Sequence, residues 1–168
     1  MDGNSLTVDR LHEAYLYEPD TGNFIRLQET NSYGGKAKVG EVAGHIGNTG
    51  YIRIGLDGRV YLAHRLAWFY MTGEWPSRYI DHINMIKTDN RWSNLRAATM
   101  SQNQANTKRR KDNTSGYKGV TKTPFNTWQA KTMFNGKKIS LGTYDTPEEA
   151  FAAYRKAAEE LFGDFHRA

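Results

Sequence analysis

Four polar residues in the middle of the chain have the types and spacing needed to hydrolyse a phosphodiester. Asp81 and His82 are adjacent, Asn94 follows His82 by 12 residues, and Asn103 follows Asn94 by 9. Phosphodiester hydrolysis needs a base for the attacking water and a cation for the negative charge that develops. His82 could take the proton, while the oxygens of Asp81 and Asn103 are hard ligands that suit a magnesium-like ion. Asn94 is interpreted as a brace, its amide tying the loop to a hairpin.

A strand, a loop and a helix must position these side chains. Asp81 and His82 end a strand-like run that begins at Tyr79, and their side chains point in opposite directions because strand residues alternate. A polar, Asn-rich loop follows. The sequence Thr99-Met100-Ser101-Gln102 fits a helical capping box with Thr99 as N-cap. Asn103 is therefore expected one turn into a helix.

This stretch resembles the motif of the HNH endonucleases, in the variant that ends in Asn and carries Asp before the first His. The triplet Asn94-Leu95-Arg96 belongs to the same resemblance. It implies a ββα-metal nuclease module with one divalent ion, Mg²⁺ as the expected ion and Mn²⁺ as the alternative, held by Asp81 and Asn103. The non-catalytic alternative is an ordinary Asx-rich surface loop with a histidine at the end of a strand. The two spacings, the triplet and the capped helix together argue against it.

The charge distribution favours an anionic partner. The chain has 168 residues and a formal net charge of +5. The segment from Thr107 to Lys138 contains nine Lys or Arg residues and one Asp, whereas the segment from Asp145 to Ala168 contains six acidic and three basic residues. A basic band followed by an acidic helix is typical of a nucleic-acid face with a solvated back. Aromatic residues interleaved with the basic ones favour a folded domain over a disordered tail.

Several classes of protein are disfavoured by composition. There are no cysteines, which excludes disulfides and thiolate zinc sites. No apolar run approaches the ~20 residues that span a bilayer. The start of the chain, MDGNSLTVDR, does not have a signal peptide's basic stretch and apolar core. We therefore expect a soluble, intracellular protein with no membrane partner.

The N-terminal hundred residues alternate between strand and helix patterns. Asp57-Gly58 is a two-residue hairpin signal, and Gly73 closes a helix. The predicted elements are a helix over 5–16, a turn over 17–23, a strand over 24–27, a mobile loop over 28–40, strands over 51–56 and 59–62, and a helix over 63–71.

The segment His64-Arg65-Leu66-Ala67-Trp68 resembles the run that commonly precedes the motif in phage-type HNH proteins. His64 is a phosphate contact or a residue near the site, or it orients its helix against the hairpin. Arg65 is placed among the DNA-binding candidates, with capping of a carbonyl as the open alternative. Trp68 and Trp75 are expected in the core.

Residues 108–115 are predicted to form a basic linker, into which the motif helix continues for a few residues. Its consecutive bases Lys108, Arg109, Arg110 and Lys111 are expected to track DNA phosphates. A merely solvated tether is the alternative.

From Gly116 onward the pattern predicts three short strands and a helix. The strands are expected over 117–120, 127–131 and 137–144, with Asn135-Gly136 as a turn, and the helix starts after Thr146 and ends at Gly163. The runs Ser-Gly-Tyr-Lys-Gly-Val, Trp-x-Ala, Leu-Gly-Thr-Tyr and Ala-Tyr-x-x-Ala-Ala resemble the plant-type ethylene-response-factor (APETALA-like) DNA-binding domain over residues 116–163.

That resemblance implies a sheet lying in the DNA major groove. Aligned positions then become DNA contacts: Lys118, Thr121, Thr123, Phe125, Lys131, Met133, Lys138 and Ser140. Lysines stand where that family has arginines, and a lysine does not form the bidentate fork that reads guanine. DNA binding is therefore carried over without the family's target sequence.

Together these patterns predict an α+β protein of two modules. Residues 1–107 form the nuclease module, 108–115 the linker and 116–168 the DNA-binding domain. The combination resembles the free-standing HNH homing endonucleases of phages, which implies metal-dependent hydrolysis of double-stranded DNA in the cytoplasm of an infected bacterium. We expect a monomer or weak dimer that nicks one strand. The alternative is a non-catalytic DNA-binding regulator with a decayed nuclease module.

Overall fold

A computed structural model describes residues 6–32, 35–108 and 112–166. The chain divides into two compact units, Met1–Ala97 and Ala98–Ala168, and each is treated separately below. The motif residues are distributed between them, because Asp81, His82 and Asn94 fall in the first unit and Asn103 in the second.

The first unit begins with a short helix that runs directly into a strand hairpin. Helix α1 covers Val8–Ala14 and is capped by the Thr7 side chain; strands β1 (Tyr15–Glu18) and β2 (Asn23–Arg26) follow and pair antiparallel. The predicted helix over 5–16 was therefore too long. In β1, Tyr15 and Tyr17 are buried while Leu16 between them is 46% exposed, so the two-residue period of a strand prevails there.

The segment predicted as a loop over 28–40 contains a small hairpin instead. Strand β3 (Thr30–Ser32) pairs with β4 (Gly35–Ala37). A second departure from the prediction is the two-residue strand β5 (His45–Ile46), which extends the next sheet. Strands this short carry too little alternation to be distinguished from loop by sequence.

The predicted hairpin and helix in the middle of this unit are confirmed. Strands β6 (Ile52–Leu56) and β7 (Arg59–Leu62) pair across Asp57 and Gly58, which both have positive φ as the tight turn requires. Helix α2 (Ala63–Thr72) follows and ends at Gly73 in the left-handed region. The core below these elements is built from Leu11, Tyr15, Phe24, Ile54 and Leu66.

The motif region contributes the last elements of the first unit. Strand β8 (Tyr79–His82) pairs with β9 (Leu95–Ala98), and a single 3₁₀ turn (Trp92–Asn94) leads into β9. Ile80 and Leu95 are buried in the core. The long loop between the two strands is therefore held at both ends by buried residues.

The second unit starts with the motif helix and continues as a three-stranded sheet packed on one helix. Helix α3 covers Met100–Ala105, and its predicted capping box is present. Strands β10 (Val120–Lys122), β11 (Trp128–Phe134) and β12 (Lys137–Tyr144) form the antiparallel sheet, and helix α4 (Pro147–Phe162) packs on it. The predicted α+β class and the C-terminal sheet with its helix are confirmed.

Two details of the second unit differ from the prediction. The first strand begins at Val120 and not at residue 117, because Gly119 has φ +75°, which is outside the extended region. Gly119 also lies so close to the Tyr154 ring that a Cβ atom there would clash. Helix α3 ends at Ala105, so the predicted continuation past Thr107 is wrong. The Thr107 hydroxyl donates to the Gln104 carbonyl at 2.7 Å and helps to close the helix.

None of the helices in the described ranges is long and apolar enough to cross a membrane.

Candidate active site

The two adjacent motif residues lie buried at the end of β8. Asp81 and His82 are each only 5% exposed. The Asp81 Oδ2 atom accepts a hydrogen bond from Arg96 Nε at 2.9 Å, and Arg96 lies on the paired strand β9. A carboxylate taken out of water needs such a partner. The Asn94-Leu95-Arg96 triplet thus contributes a positive charge beside the motif carboxylate.

The His82 imidazole is held in a buried hydrogen bond. Its Nε2 atom lies 3.2 Å from Asn90 Oδ1. Burial lowers the pKa of His82, and the bond to Asn90 and the charge of Asp81 offset part of that effect. The ring is therefore neutral at neutral pH, which is the state in which it can accept a proton.

A second histidine and a tyrosine surround that ring. The centroids of His64 and His82 are 5.0 Å apart in an edge-on arrangement, and Tyr51 lies 5.0 Å from His64 and 5.8 Å from His82. Burial, aided by the neighbouring His82 and Arg65, lowers the pKa of His64 to about 3. Its Nδ1 atom has no hydrogen-bond partner within the described residues. Of the roles considered for His64, these contacts favour a residue near the site.

The loop between β8 and β9 is braced by side-chain amides. Asn94 Oδ1 accepts from the Asn84 backbone N–H at 3.0 Å, and Asn94 Nδ2 donates to the Asp89 carbonyl at 2.8 Å. Asp89 in turn accepts from Asn84 Nδ2 at 2.6 Å and from the Arg91 guanidinium at 2.6 and 2.8 Å. The Arg91 guanidinium, helped by Asn84, lowers the pKa of Asp89 to about 2. These bonds fix the path of the loop that carries Asn90.

Asn103 lies on α3 in the second unit. Its backbone N–H donates to the Thr99 carbonyl at 2.9 Å, which places it one turn into the helix as predicted from the capping box. Ser101, on the same helix, accepts from the Asn135 backbone N–H at 2.9 Å, and Ala105 packs against α4. The role of Asn103 as a metal ligand remains a prediction.

Residues 61–105, which contain α2, the buried Asp81-His82 pair, the braced loop and α3, match the family model for HNH endonuclease. The chain carries an HNH endonuclease domain. It also belongs to the same family as Protein 3.8 of Escherichia phage T7, with 33% identity over 106 residues covering 62% of this chain and 87% of that protein.

This chain matches only part of the length of its other relatives. An uncharacterized HNH endonuclease, L560, of Acanthamoeba polyphaga mimivirus is 37% identical over 123 residues, 72% of this chain and 63% of that protein. The ethylene-responsive transcription factor ERF117 of Arabidopsis thaliana is 33% identical over 88 residues, 51% of this chain and 26% of that protein. A solved structure, of DNA binding and cleavage by the HNH homing endonuclease I-HmuI, matches at 25% identity with a TM-score of 0.43, covering 60% of this chain and 55% of that one. The chain thus spans less than two thirds of each of these three.

The donor chemistry of the HNH domain fits a hard divalent ion. Within the described ranges there is no cluster of three or more His, Cys, Asp or Glu residues. In the first unit the motif offers one buried carboxylate, Asp81, while Asn103 of the second unit stays a predicted ligand. An ion held by one or two protein oxygens, with waters completing its shell, is the coordination that Mg²⁺ commonly adopts in nucleotide-processing sites.

Outside the HNH motif, the C-terminal sheet presents one exposed polar face. The strand register aligns side chains in three rows on that face: Thr121, Gln129 and Thr143; Lys131 and Ser140; Met133 and Lys138. The other face packs on α4 through Val120 and Ala130. One surface therefore carries five of the residues that were predicted to contact DNA: Thr121, Lys131, Met133, Lys138 and Ser140.

The remaining predicted DNA contacts lie in different surroundings. Phe125 is 87% exposed at the tip of the β10–β11 loop, whereas the Thr123 hydroxyl is 2.7 Å from that of Thr127. Lys118 Nζ donates to the carbonyls of Ala105 and Thr107 at 2.5 and 2.8 Å.

Two further candidates lie nearer the motif. The Arg65 guanidinium donates to the carbonyls of Pro76 and Arg78 at 3.2 and 3.5 Å, which favours the carbonyl-capping alternative. Lys108 is exposed, while Arg109, Arg110 and Lys111 lie outside the described residues.

Sequence reasoning missed the residues around the His82 ring. Asn90, Tyr51 and Tyr17 were not predicted to belong to the site, although Asn90 bonds His82 and Tyr17 bonds Asn90. The one local signal was the Asp89-Asn90-Arg91 run inside the polar loop. It could have raised Asn90 as a candidate but could not show which way its side chain points.

Proposed function

We propose that the protein is a metal-dependent endonuclease that hydrolyses DNA phosphodiester bonds. The observation that carries the proposal is the buried pair Asp81-His82, with a neutral imidazole beside an ion-paired carboxylate, inside the segment that matches the HNH endonuclease model. The similarity to an HNH endonuclease of a virus supports nuclease activity. We further propose a homing-type enzyme that acts in the cytoplasm of an infected host.

In this reaction His82 takes a proton from the attacking water. The oxygen of that water forms a bond to phosphorus, the bond from phosphorus to the 3′-oxygen breaks, and the departing oxygen receives a proton from solvent. The products are 5′-phosphate and 3′-hydroxyl ends. The neutral state of His82 supports this role, because a ring that is already protonated cannot act as the base.

Asp81 and Asn103 are the residues proposed to hold the divalent ion, with Mg²⁺ expected and Mn²⁺ as the alternative. When bound, such an ion supplies positive charge for the phosphate and the departing oxygen. The bond from Arg96 orients the Asp81 carboxylate within its buried surroundings. Asn94 keeps the loop beside His82 in place through its bonds to Asn84 and Asp89.

The C-terminal domain is proposed to bind duplex DNA through the exposed face of its sheet. Lys131 and Lys138 lie on that face with the hydroxyls of Thr121 and Ser140 beside them. This arrangement suits contacts with phosphates and groove edges. The partial similarity to an ethylene-responsive transcription factor supports the proposal. The linker bases 108–111 are proposed to add phosphate contacts.

Cleavage of supercoiled plasmid is the direct test. The full-length protein incubated with Mg²⁺ should convert the plasmid, and a chelator should abolish that conversion. A matched reaction with the His82→Ala protein controls for a contaminating nuclease. Equal conversion with and without chelator would contradict a metal-dependent mechanism.

A second candidate, a DNA-binding regulator without cleavage activity, is favoured by the similarity to a transcription factor. It predicts tight DNA binding with intact plasmid at every ion concentration tested. The buried, ion-paired Asp81 argues against it, since a scaffold has no chemical need for a carboxylate that is costly to bury.

A further inference from the structure

We propose that Asn90 is a positioning residue that fixes the orientation and tautomer of the His82 imidazole. The inference rests on the proposed nuclease function, in which His82 is the base. It starts from the buried contact of 3.2 Å between Asn90 Oδ1 and His82 Nε2. Asn90 is 1% exposed, among the most completely buried side chains of the protein.

The orientation of the Asn90 amide follows from its second contact. Asn90 Nδ2 lies 3.4 Å from the Thr88 carbonyl oxygen, which can only accept a hydrogen bond. The nitrogen of the amide must therefore face Thr88, and the oxygen must face His82. An amide oxygen is an acceptor, so His82 Nε2 carries the proton. The lone pair of the neutral ring is then on Nδ1.

The backbone of Asn90 is held from the opposite side by the β1–β2 hairpin. The Tyr17 hydroxyl donates to the Asn90 carbonyl at 2.6 Å, and the Trp92 N–H donates to the Pro19 carbonyl at 2.9 Å. Gly22, with φ +77°, lies so close that a Cβ atom there would be 2.5 Å from the Asn90 carbonyl carbon. The N-terminal hairpin thus serves as the platform on which the partner of His82 rests.

This arrangement gives Asn90 a role distinct from that of the other loop amides. Asn84 and Asn94 bond to the loop itself, whereas Asn90 contacts the ring of the proposed base. Loss of this bond would let the ring rotate and exchange tautomers more readily, and only one of those states presents a lone pair in the correct direction. Partners of this kind typically account for about 10- to 100-fold of activity.

Single-turnover cleavage of plasmid by the full-length protein tests the role. Asn90→Ala should lower the rate constant about 10- to 100-fold without changing the DNA concentration needed for half-maximal rate. Asn90→Asp, which keeps an acceptor for His82, should recover most of that loss. Tyr17→Phe is the matched comparison, because it removes the bond to the Asn90 backbone and keeps the side-chain acceptor, so its loss should be smaller than that of Asn90→Ala. Equal losses in Asn90→Ala and Tyr17→Phe would overturn the proposal in favour of a loop-anchoring role.

A double variant isolates the path through His82. In a His82→Ala background, Asn90→Ala should cost no further activity, because the group it positions is gone. If Asn90→Ala lowers the rate by the same factor in the His82→Ala background as in the wild type, Asn90 acts elsewhere and the proposal is overturned.

NMR of the free protein separates this proposal from the nuclease function. With ¹⁵N-labelled histidine, the His82 Nε2–H proton should be protected from exchange in the wild type, Tyr17→Phe and Asn90→Asp, and unprotected in Asn90→Ala. Because this readout needs neither DNA nor metal, it stands even if no cleavage is found. An Nε2 proton that is equally protected in Asn90→Ala would overturn the proposal.

Discussion

At the scale of single residues, burial decides what the motif histidine can do. His82 is held neutral mainly by burial. The neighbouring Asp81 carboxylate is buried as well, and its ion pair with Arg96 offsets the cost of removing that charge from water. The exposed His45, on a short strand of the same unit, lacks such surroundings. Two histidines of the same unit can therefore differ in chemistry through environment alone.

Replacing the base tests this difference. His82→Ala should slow cleavage about 10²- to 10⁴-fold, the usual contribution of a positioned general base, with little change in DNA affinity. His45→Ala is the matched control and should cleave like the wild type. Rates and affinities can be measured by plasmid conversion and by gel shift in the presence of chelator. Cleavage by His82→Ala within a few-fold of the wild type would move the base elsewhere, with His64 as the first candidate.

The proposed ion ligands are tested by metal titration. Asp81→Ala and Asn103→Ala should each raise the Mg²⁺ concentration needed for half-maximal cleavage, because each removes an oxygen ligand. Asn84→Ala, in the braced loop, is the control for a general loosening of the motif. If Asn103→Ala titrates like the wild type, the assignment passes to the buried Asn106, at the C-terminal cap of the same helix.

At the scale of elements, the loop between β8 and β9 makes the stability of the first unit depend on pH in the acid range. The pKa of Asp89 is about 2 in the folded protein, below the value of about 4 for an unfolded aspartate. The stabilisation from its bonds to Arg91 and Asn84 is therefore complete above about pH 4 and is lost as the pH falls towards 2.

Unfolding by urea at a series of pH values measures this contribution. Arg91→Met should lower the midpoint at neutral pH, and its deficit relative to the wild type should shrink between about pH 4 and pH 2. Arg78→Met, at another exposed arginine, should show no such convergence. A deficit for Arg91→Met that is constant across this range would show that the pair does not set the pKa of Asp89.

The lysines of the second unit divide into two groups by their contacts. Lys131 and Lys138 lie on the exposed sheet face, whereas Lys118 bonds the last carbonyls of α3. Lys131→Met and Lys138→Met should each weaken DNA binding and reduce the slope of log affinity against log salt by about 1. Lys118→Met should change that slope less and should speed amide hydrogen exchange in α3. A salt slope that changes only in Lys118→Met would reverse the assignment.

Sequence patterns predicted elements whose determinants are local. The Asp57-Gly58 hairpin, the Thr99 capping box and the Thr146 cap each depend on residues within one turn of each other, and all three are present. The environment of His82 depends on pairs far apart, such as Tyr17 and Asn90, which are 73 residues apart. Short strands such as β3 and β5 are fixed by pairing and not by their own residues. These features could not be predicted because no local pattern encodes them.

At the scale of the whole molecule, the chain contains one copy of the motif and so one proposed active site. One site addresses one scissile phosphate at a time. We therefore expect the monomer to nick, so that supercoiled plasmid passes to open circle and linear product appears late. Time courses at several protein concentrations measure this. Linear product that appears at once, with a yield rising as the square of protein concentration, would show that two copies act together.

The packing of α3 also determines where this chain can be joined to part of another protein to make a chimera. Helix α3 belongs to the second unit, where Ser101 bonds the Asn135 backbone, Ala105 packs on α4 and Lys118 closes its C-terminal end. A chimera joined in the basic segment near Lys108 would separate that helix from its support. An exchangeable segment should instead begin at Ala98, so that any transplanted C-terminal unit includes its own version of the helix that carries Asn103.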